Sequence, residues 1–317
     1  MALPVRRAEA LHRAGDAHHA RASVWLTEVS LLLMALIWGV NYAVVKFATD
    51  RFAPLAFNSL RLMLAAVSLV AVAVVAQRLA GPVAIGWPGR RDALALLGLG
   101  VLGNGIYQVF FVEGIARTRA GDAALVIASA PAFIALIGRL RGTERVAARG
   151  VAGIALSLLG IALVVLGSAD ESAARHASLV GDLLILSGTL CWSIYTVYLQ
   201  PYTHRVSGLQ LSALTMIGGA VPLLLLAVPS LAATPWTGIP AGAWLALGFS
   251  GIFALVIAYL FWYRGVRVIG PTRTAMYSNL QPIFAVIVAW LSLGETPTLW
   301  QGLGAMSIMS GLLLTRA

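Results

Sequence analysis

FFVEGIARTRAGDAALVIASAPAFIALIGRLRGTERVAARGVAGIALSLLGIAL, residues 110–163, has an echo in FWYRGVRVIGPTRTAMYSNLQPIFAVIVAWLSLGETPTLWQGLGAMSIMSGLLL, residues 261–314. Gly114, Pro131, Glu144, Gly153 and Gly160 of the first stretch return as Gly265, Pro282, Glu295, Gly304 and Gly311 of the second, each 151 residues later. Glycine and proline fill backbone roles that other residues take over poorly, so matches at these positions speak for duplication. Each copy reads as the end of one apolar segment, a proline-centred second segment, a short turn with Glu, and a third apolar segment. The copies differ in polarity beside the proline: Ser278, Asn279 and Gln281 stand where the first has Ile127, Ala128 and Ala130.

The chain of 317 residues is 60% apolar and only 11% charged, against about 25% charged in an average soluble domain. Its apolar runs are far longer than the ~10-residue alternating strands of a membrane barrel. They suit helices, which satisfy their own backbone hydrogen bonds in lipid and need about 20 residues to cross it. The expectation is an all-α polytopic membrane protein with ten transmembrane helices. The predicted spans are 28–48, 54–76, 92–113, 121–140 and 146–167, then 180–200, 208–228, 241–263, 271–293 and 298–314. Residues 1–24 read as a solvated cytoplasmic polar tail, 25–168 as a first five-helix repeat, 169–179 as an external linker and 180–317 as a second five-helix repeat.

The net charge of +10 comes from 21 Arg and one Lys, scattered through short connections. That scatter fits the positive-inside bias of membrane proteins and argues against a nucleic-acid partner. With the N-terminus inside, 16 Arg fall in inside segments and four (Arg51, Arg117, Arg119, Arg175) outside, which predicts cytoplasmic termini. A repeat unit of five spans is odd, so its copies insert in opposite directions. The charges agree: the turn around Glu144 carries Arg139, Arg141, Arg145 and Arg149, whereas Gly294-Glu295-Thr296 carries none. An inverted repeat with a binding site near the midplane is the plan of many secondary transporters.

Several chemistries are disfavoured. The single Cys191 allows no disulfide within one chain and no multi-Cys metal site, and all five His lie outside the predicted spans. No phosphate-binding G-x-x-x-x-G-K-[ST] loop exists, and Lys46 is the one lysine, so no ATP-driven P-loop engine resides in this chain. Neither the paired carboxylates or nucleophile–base pair of a membrane-embedded enzyme nor the charged ring or carbonyl filter of a channel is visible. No cofactor, metal or catalytic residue is expected, and the partners are a small-molecule substrate and the lipid bilayer of the cell's inner membrane.

Trp38-Gly39-Val40-Asn41-Tyr42 resembles the WG-x-N opening of EamA-type members of the drug/metabolite transporter superfamily. The run from Ala275 to Phe284 resembles that family's ninth-span signature, and Leu293-Gly294-Glu295 followed by Gln301-Gly302 and Gly311 its closing segment. Two positions depart from the pattern: Gly142-Thr143-Glu144 replaces a Gly-Glu pair, and Trp192-Ser193 replaces Trp-Gly. The resemblance covers roughly residues 28–315. It implies ten helices around a central cavity and export of amino acids or similar small metabolites without ATP.

Within the spans, Asn41, Tyr42, Asn104, Tyr107, Gln108, Trp192, Tyr195, Tyr259, Ser278, Asn279 and Gln281 are candidate substrate contacts. Each is also open to the plainer role of polar glue between helices. Trp262 and Tyr263 suit interfacial anchoring as well as a cavity wall. Arg61 lies about 12 Å into the second span at ~1.5 Å per residue, an expensive place for a charge. It becomes a candidate for a substrate carboxylate or a structural ion pair. Pro131 and Pro282, near the middle of their spans, are candidate hinges, since an interior proline removes a helical hydrogen bond. Asn279→Ala is expected to lower transport. Glu144 and Glu295 are expected to cap the helix that follows each. Gly153, Ser157 and Gly160, with Gly304, Ser307 and Gly311, form small-residue faces on two scaffold helices.

Overall fold

The computed structural model describes residues 3–80, 86–143, 148–167 and 173–316. Ten helices account for most of them: α1 Leu3–Thr49, α2 Pro54–Ala80, α3 Arg90–Arg117, α4 Ala120–Leu140 and α5 Ala148–Gly167, then α6 Ala173–Thr203, α7 Gly208–Ala232, α8 Ala241–Ile269, α9 Pro271–Leu293 and α10 Leu299–Arg316. Eight of these contain stretches long and apolar enough to cross a membrane. Helix α5 holds a shorter apolar stretch, Arg149–Val165, and α10 is 18 residues long. Large apolar side chains such as Leu225, Leu245 and Leu291 are exposed on the outside of the bundle. Lipid suits that surface and water does not. The protein is a polytopic α-helical membrane protein.

Local chemistry sets the helix ends. Pro54 and Pro271 open α2 and α9, where a missing N–H costs nothing. Ser207 caps α7 by accepting from the Gln210 N–H at 3.3 Å. Thr298 and Gln301 form a reciprocal capping box on α10, at 3.0 and 3.1 Å. Gly294, at φ 71°, ends α9 in the left-handed conformation that glycine adopts freely.

Residues 3–24 continue α1 as helix; they are rich in Ala and Arg, both good helix formers. One expectation changes here. Glu295 does not cap the helix after it. It accepts from the N–H groups of Ala120 (3.1 Å) and Gly121 (3.4 Å), at the start of α4 in the other half. The helix after it already has its cap in Thr298. Glu144 lies outside the described residues.

Packing between the halves is reciprocal. Helix α1 packs on α9 and α4 on α6; α3 packs on α6 and α8 on α1; α3 packs on α7 and α8 on α2. Helices α2 and α7 pack on each other, as do α5 and α10. In the last pair the small residues meet. A Cβ on Gly160 would fall 2.8 Å from the Gly304 carbonyl oxygen, and one on Gly311 would meet the Gly153 carbonyl oxygen.

Backbone irregularities recur in the same rhythm. Helix α3 carries a π-helical stretch at Val101–Ile106, and α8 one at Ser250–Ile257. Helix α4 breaks after Ile127 and restarts at Ala130. Helix α9 ends a first segment at Tyr277, turns through Ser278–Leu280 as 3-10 helix and restarts at Gln281. Pro131 and Pro282 each stand in the first turn of the restarted segment. There the ring meets no preceding helical turn, so the spans are interrupted without straining the backbone.

Candidate functional site

These interruptions border one cavity between the halves. Its walls are Trp38, Asn41 and Tyr42 of α1, Arg61 of α2, Tyr107, Gln108 and Phe111 of α3, and Ile127 and Ala130 of α4. The second half supplies Trp192 of α6, Ala254, Leu255 and Tyr259 of α8, and Ser278 and Gln281 of α9. The repeat positions coincide: Ile127 and Ser278 are 151 residues apart, as are Ala130 and Gln281, and Gln108 and Tyr259. The last pair bond directly, Gln108 Nε2 donating to the Tyr259 hydroxyl at 3.3 Å.

Space for the centres of water-sized molecules in this cavity is about 40 Å³. At ~10–15 Å³ per water, that is room for about three waters. The walls must part to admit anything larger.

One wall is aromatic. Trp38 and Trp192 stand edge to face with ring centres 6.0 Å apart, and both pack on Tyr259 at 5.8 and 5.5 Å. Tyr107 lies 5.2 Å from Trp192. The π-helical stretch of α8 holds this box in place, because Trp38 Nε1 donates to the Ala254 carbonyl at 2.9 Å. A π turn leaves carbonyls free for such bonds.

Arg61 forms the opposite chemistry. It is fully buried. Its Nε donates to Asn58 Oδ1 at 2.8 Å, Nη1 to Ser250 Oγ at 2.7 Å and Nη2 to Gln108 Oε1 at 2.5 Å. Asn58 is itself anchored, donating through Nδ2 to the Gln108 carbonyl at 2.8 Å. The rings of Phe57 and Phe111 lie 5.6 and 5.4 Å from the guanidinium carbon, close enough for cation–π attraction. Every one of these partners is neutral. A buried cation without a counter-charge is costly, so the network fixes the guanidinium without neutralising it.

Nine of the twelve sequence-derived contacts line the cavity: Asn41, Tyr42, Arg61, Tyr107, Gln108, Trp192, Tyr259, Ser278 and Gln281. Tyr42 donates to Gln281 Oε1 at 3.1 Å, bridging α1 and α9. Asn104, Tyr195 and Asn279 are buried off the wall. The Tyr195 and Tyr263 hydroxyls lie 2.6 Å apart, with Thr215 3.3 Å from Tyr263, and Asn104 packs against Gly219. Trp262, open to a reading as interfacial anchor, is fully buried against Trp38 and Trp192, and Tyr263 is buried too.

Sequence reading passed over Asn58, Phe111 and Ser250. Asn58 had a signal, since three residues before Arg61 places it on the same helix face. Ser250 had none; it reaches Arg61 from another helix at the start of a π-helical stretch. Asp182 and Asp122 are also buried, near one end of the bundle. Asp182 accepts from Thr118 Oγ1 at 2.6 Å, and Asp122 accepts from Gln301 Nε2 at 2.8 Å. Neither lines the cavity. Glu113 and Arg117 pair at the surface of α3.

A membrane bundle enclosing a polar and aromatic cavity between two halves defines a transporter-like protein. Two stretches, residues 25–166 and 179–317, each match the EamA-like transporter family, and the chain belongs to that family. It is 25% identical over 285 residues to "Uncharacterized transporter YyaM" of Bacillus subtilis, covering 90% of this chain and 92% of that one. It is 29% identical to an "Uncharacterized transporter" of Archaeoglobus fulgidus, covering 92% and 97%. It is 28% identical to "Uncharacterized inner membrane transporter YedA" of Escherichia coli, covering 87% of each. One solved crystal structure shares the fold with a TM-score of 0.63 at 19% identity, covering 90% of this chain and 98% of that one. The protein is a membrane transporter of this family, and these relatives are named as transporters.

Proposed function

We propose that the protein is a secondary active transporter, exporting amino acids or similar small metabolites across the cytoplasmic membrane by alternating access. Its ten helices act as two inverted five-helix repeats with cytoplasmic termini. The observation that carries the proposal is the cavity itself, walled by matching positions of both halves and too small in this structure for its cargo. Reciprocal packing, repeated π-helical stretches and paired breaks before Pro131 and Pro282 support two copies of one unit. The double family match supports the same. A rocking of one unit against the other opens the cavity to each side in turn, with the breaks at 128–129 and 278–280 absorbing the motion as hinges. Export is the direction the family resemblance implies.

Uptake of labelled amino acids and their deaminated relatives by proteoliposomes tests this. Accumulation above that in empty liposomes, saturating with solute, is the expected result. No solute moving faster than in empty liposomes, with the protein shown folded, contradicts it.

A further inference from the structure

The charge of the cavity carries an inference about the cargo. Among the described residues, Arg61 is the only charged side chain on its wall, and no carboxylate lines the cavity. Three of the five guanidinium N–H donors are used, all on neutral oxygens, which leaves two for a ligand. An amino-acid zwitterion brought here leaves one buried positive charge uncompensated. A monoanion leaves none.

Acceptors for an ammonium group are correspondingly poor. Asn41 Oδ1, buried and without a partner, offers one neutral acceptor. It suits a hydroxyl or N–H donor but does not neutralise a charge. The faces of Trp38 and Trp192 attract cations, yet a second positive group would share a narrow cavity with Arg61. Burying like charges together is unfavourable. The same rings suit an apolar body, and aromatic groups pack well edge to face.

Resting on the transporter reading above, we propose that the cargo is an organic monoanion, an aromatic or bulky apolar carboxylate. Its carboxylate supplies the counter-charge that Arg61 lacks, and it needs no α-amino group. The carboxylate reaches the two free N–H groups of Arg61, which Asn58, Ser250 and Gln108 hold in orientation. The apolar body lies in the box of Trp38, Trp192 and Tyr259. Ser278 and Gln281 remain for a further hydroxyl or carbonyl on the cargo.

Equilibrium dialysis of the purified full-length protein tests this with 3-phenylpropionate, 3-phenylpropanamide and L-phenylalanine. The acid is expected to bind at least ~10-fold more tightly than phenylalanine and ~100-fold more tightly than its neutral amide, as loss of a buried ion-pair partner requires. Arg61→Gln, monodisperse on size exclusion, is expected to bind acid and amide within about threefold of each other. The wild-type ranking stands even if that variant does not fold. Amide binding as tight as the acid, phenylalanine binding as tight or tighter, or no binding of any of the three overturns the proposal. Transport failure is read separately in proteoliposomes: a solute that moves without this ranking sinks the anion assignment and leaves the transporter standing.

Discussion

The walls that α4 and α9 give to the cavity occupy the same places in their repeats and do different things. Both helices break before a proline, and both set the residues at the break against the cavity. From α4 those residues are Ile127 and Ala130; from α9 they are Ser278 and Gln281. The same contrast holds between α3 and α8, where a repeated π-helical stretch precedes Gln108 in one copy and Tyr259 in the other. Backbone irregularity is what the two halves share, and polarity is what they have divided. Under the proposed alternating access, geometry that moves must match in both halves, whereas recognition needs complementary groups on one ligand. Matching backbone with diverged side chains is what that proposal calls for.

The largest effect expected from perturbing this comparison lies in close packing. A Cβ on Gly100 of α3 would collide with the Thr215 carbonyl oxygen of α7, a backbone atom that cannot step aside. The repeat-related contact of α8 on α2 is softer, since a Cβ on Gly251 would first meet the Leu64 side chain at 2.8 Å. Gly100→Ala should destabilise the protein by about 3 kcal/mol and Gly251→Ala by about 1 kcal/mol, measured by denaturant unfolding in detergent. Equal losses would mean that the halves are packed alike.

Next comes the division of polarity. Gln281→Ala removes the acceptor for Tyr42 and is expected to lower transport kcat/KM about 10-fold, as loss of one polar contact does. Ile127→Ala, at the other wall, breaks no hydrogen bond and should change it less. Similar losses would erase the asymmetry. A smaller effect is expected at the link between halves: Glu295→Ala uncaps α4 and should cost about 1 kcal/mol of stability. The smallest belongs to Asn279. Its placement off the wall predicts that Asn279→Ala shifts kcat/KM less than about threefold, reversing the expectation from sequence.

That reversal shows what the chain discloses about itself and what it withholds. The helical bundle was readable from apolar runs, and the places where spans break from proline alone. Arg61 stood out by depth, since few charges enter lipid without purpose. Asn279 sits between two wall residues without itself lining the cavity. Ser278 and Gln281 are three apart on one helix face, while a single step of about 120° in the 3-10 turn carries Asn279 off that face. The π-helical stretches have no composition of their own, so the bonds they permit, from Trp38 to Ala254 and from Arg61 to Ser250, were out of reach. Glu295 was seen as a cap but given the wrong helix, because its partner is distant in sequence and close only after the halves dock.

Access to the cavity from both sides is the most direct test of a bundle that works by swapping its open face. Cys191→Ser removes the one native cysteine, and Ala130→Cys then places a single thiol on the cavity wall. Membrane-impermeant maleimide should label that thiol both in right-side-out and in inside-out vesicles, and 3-phenylpropionate should slow both reactions. A thiol that reacts from one face only, under every ligand condition, would contradict alternating access.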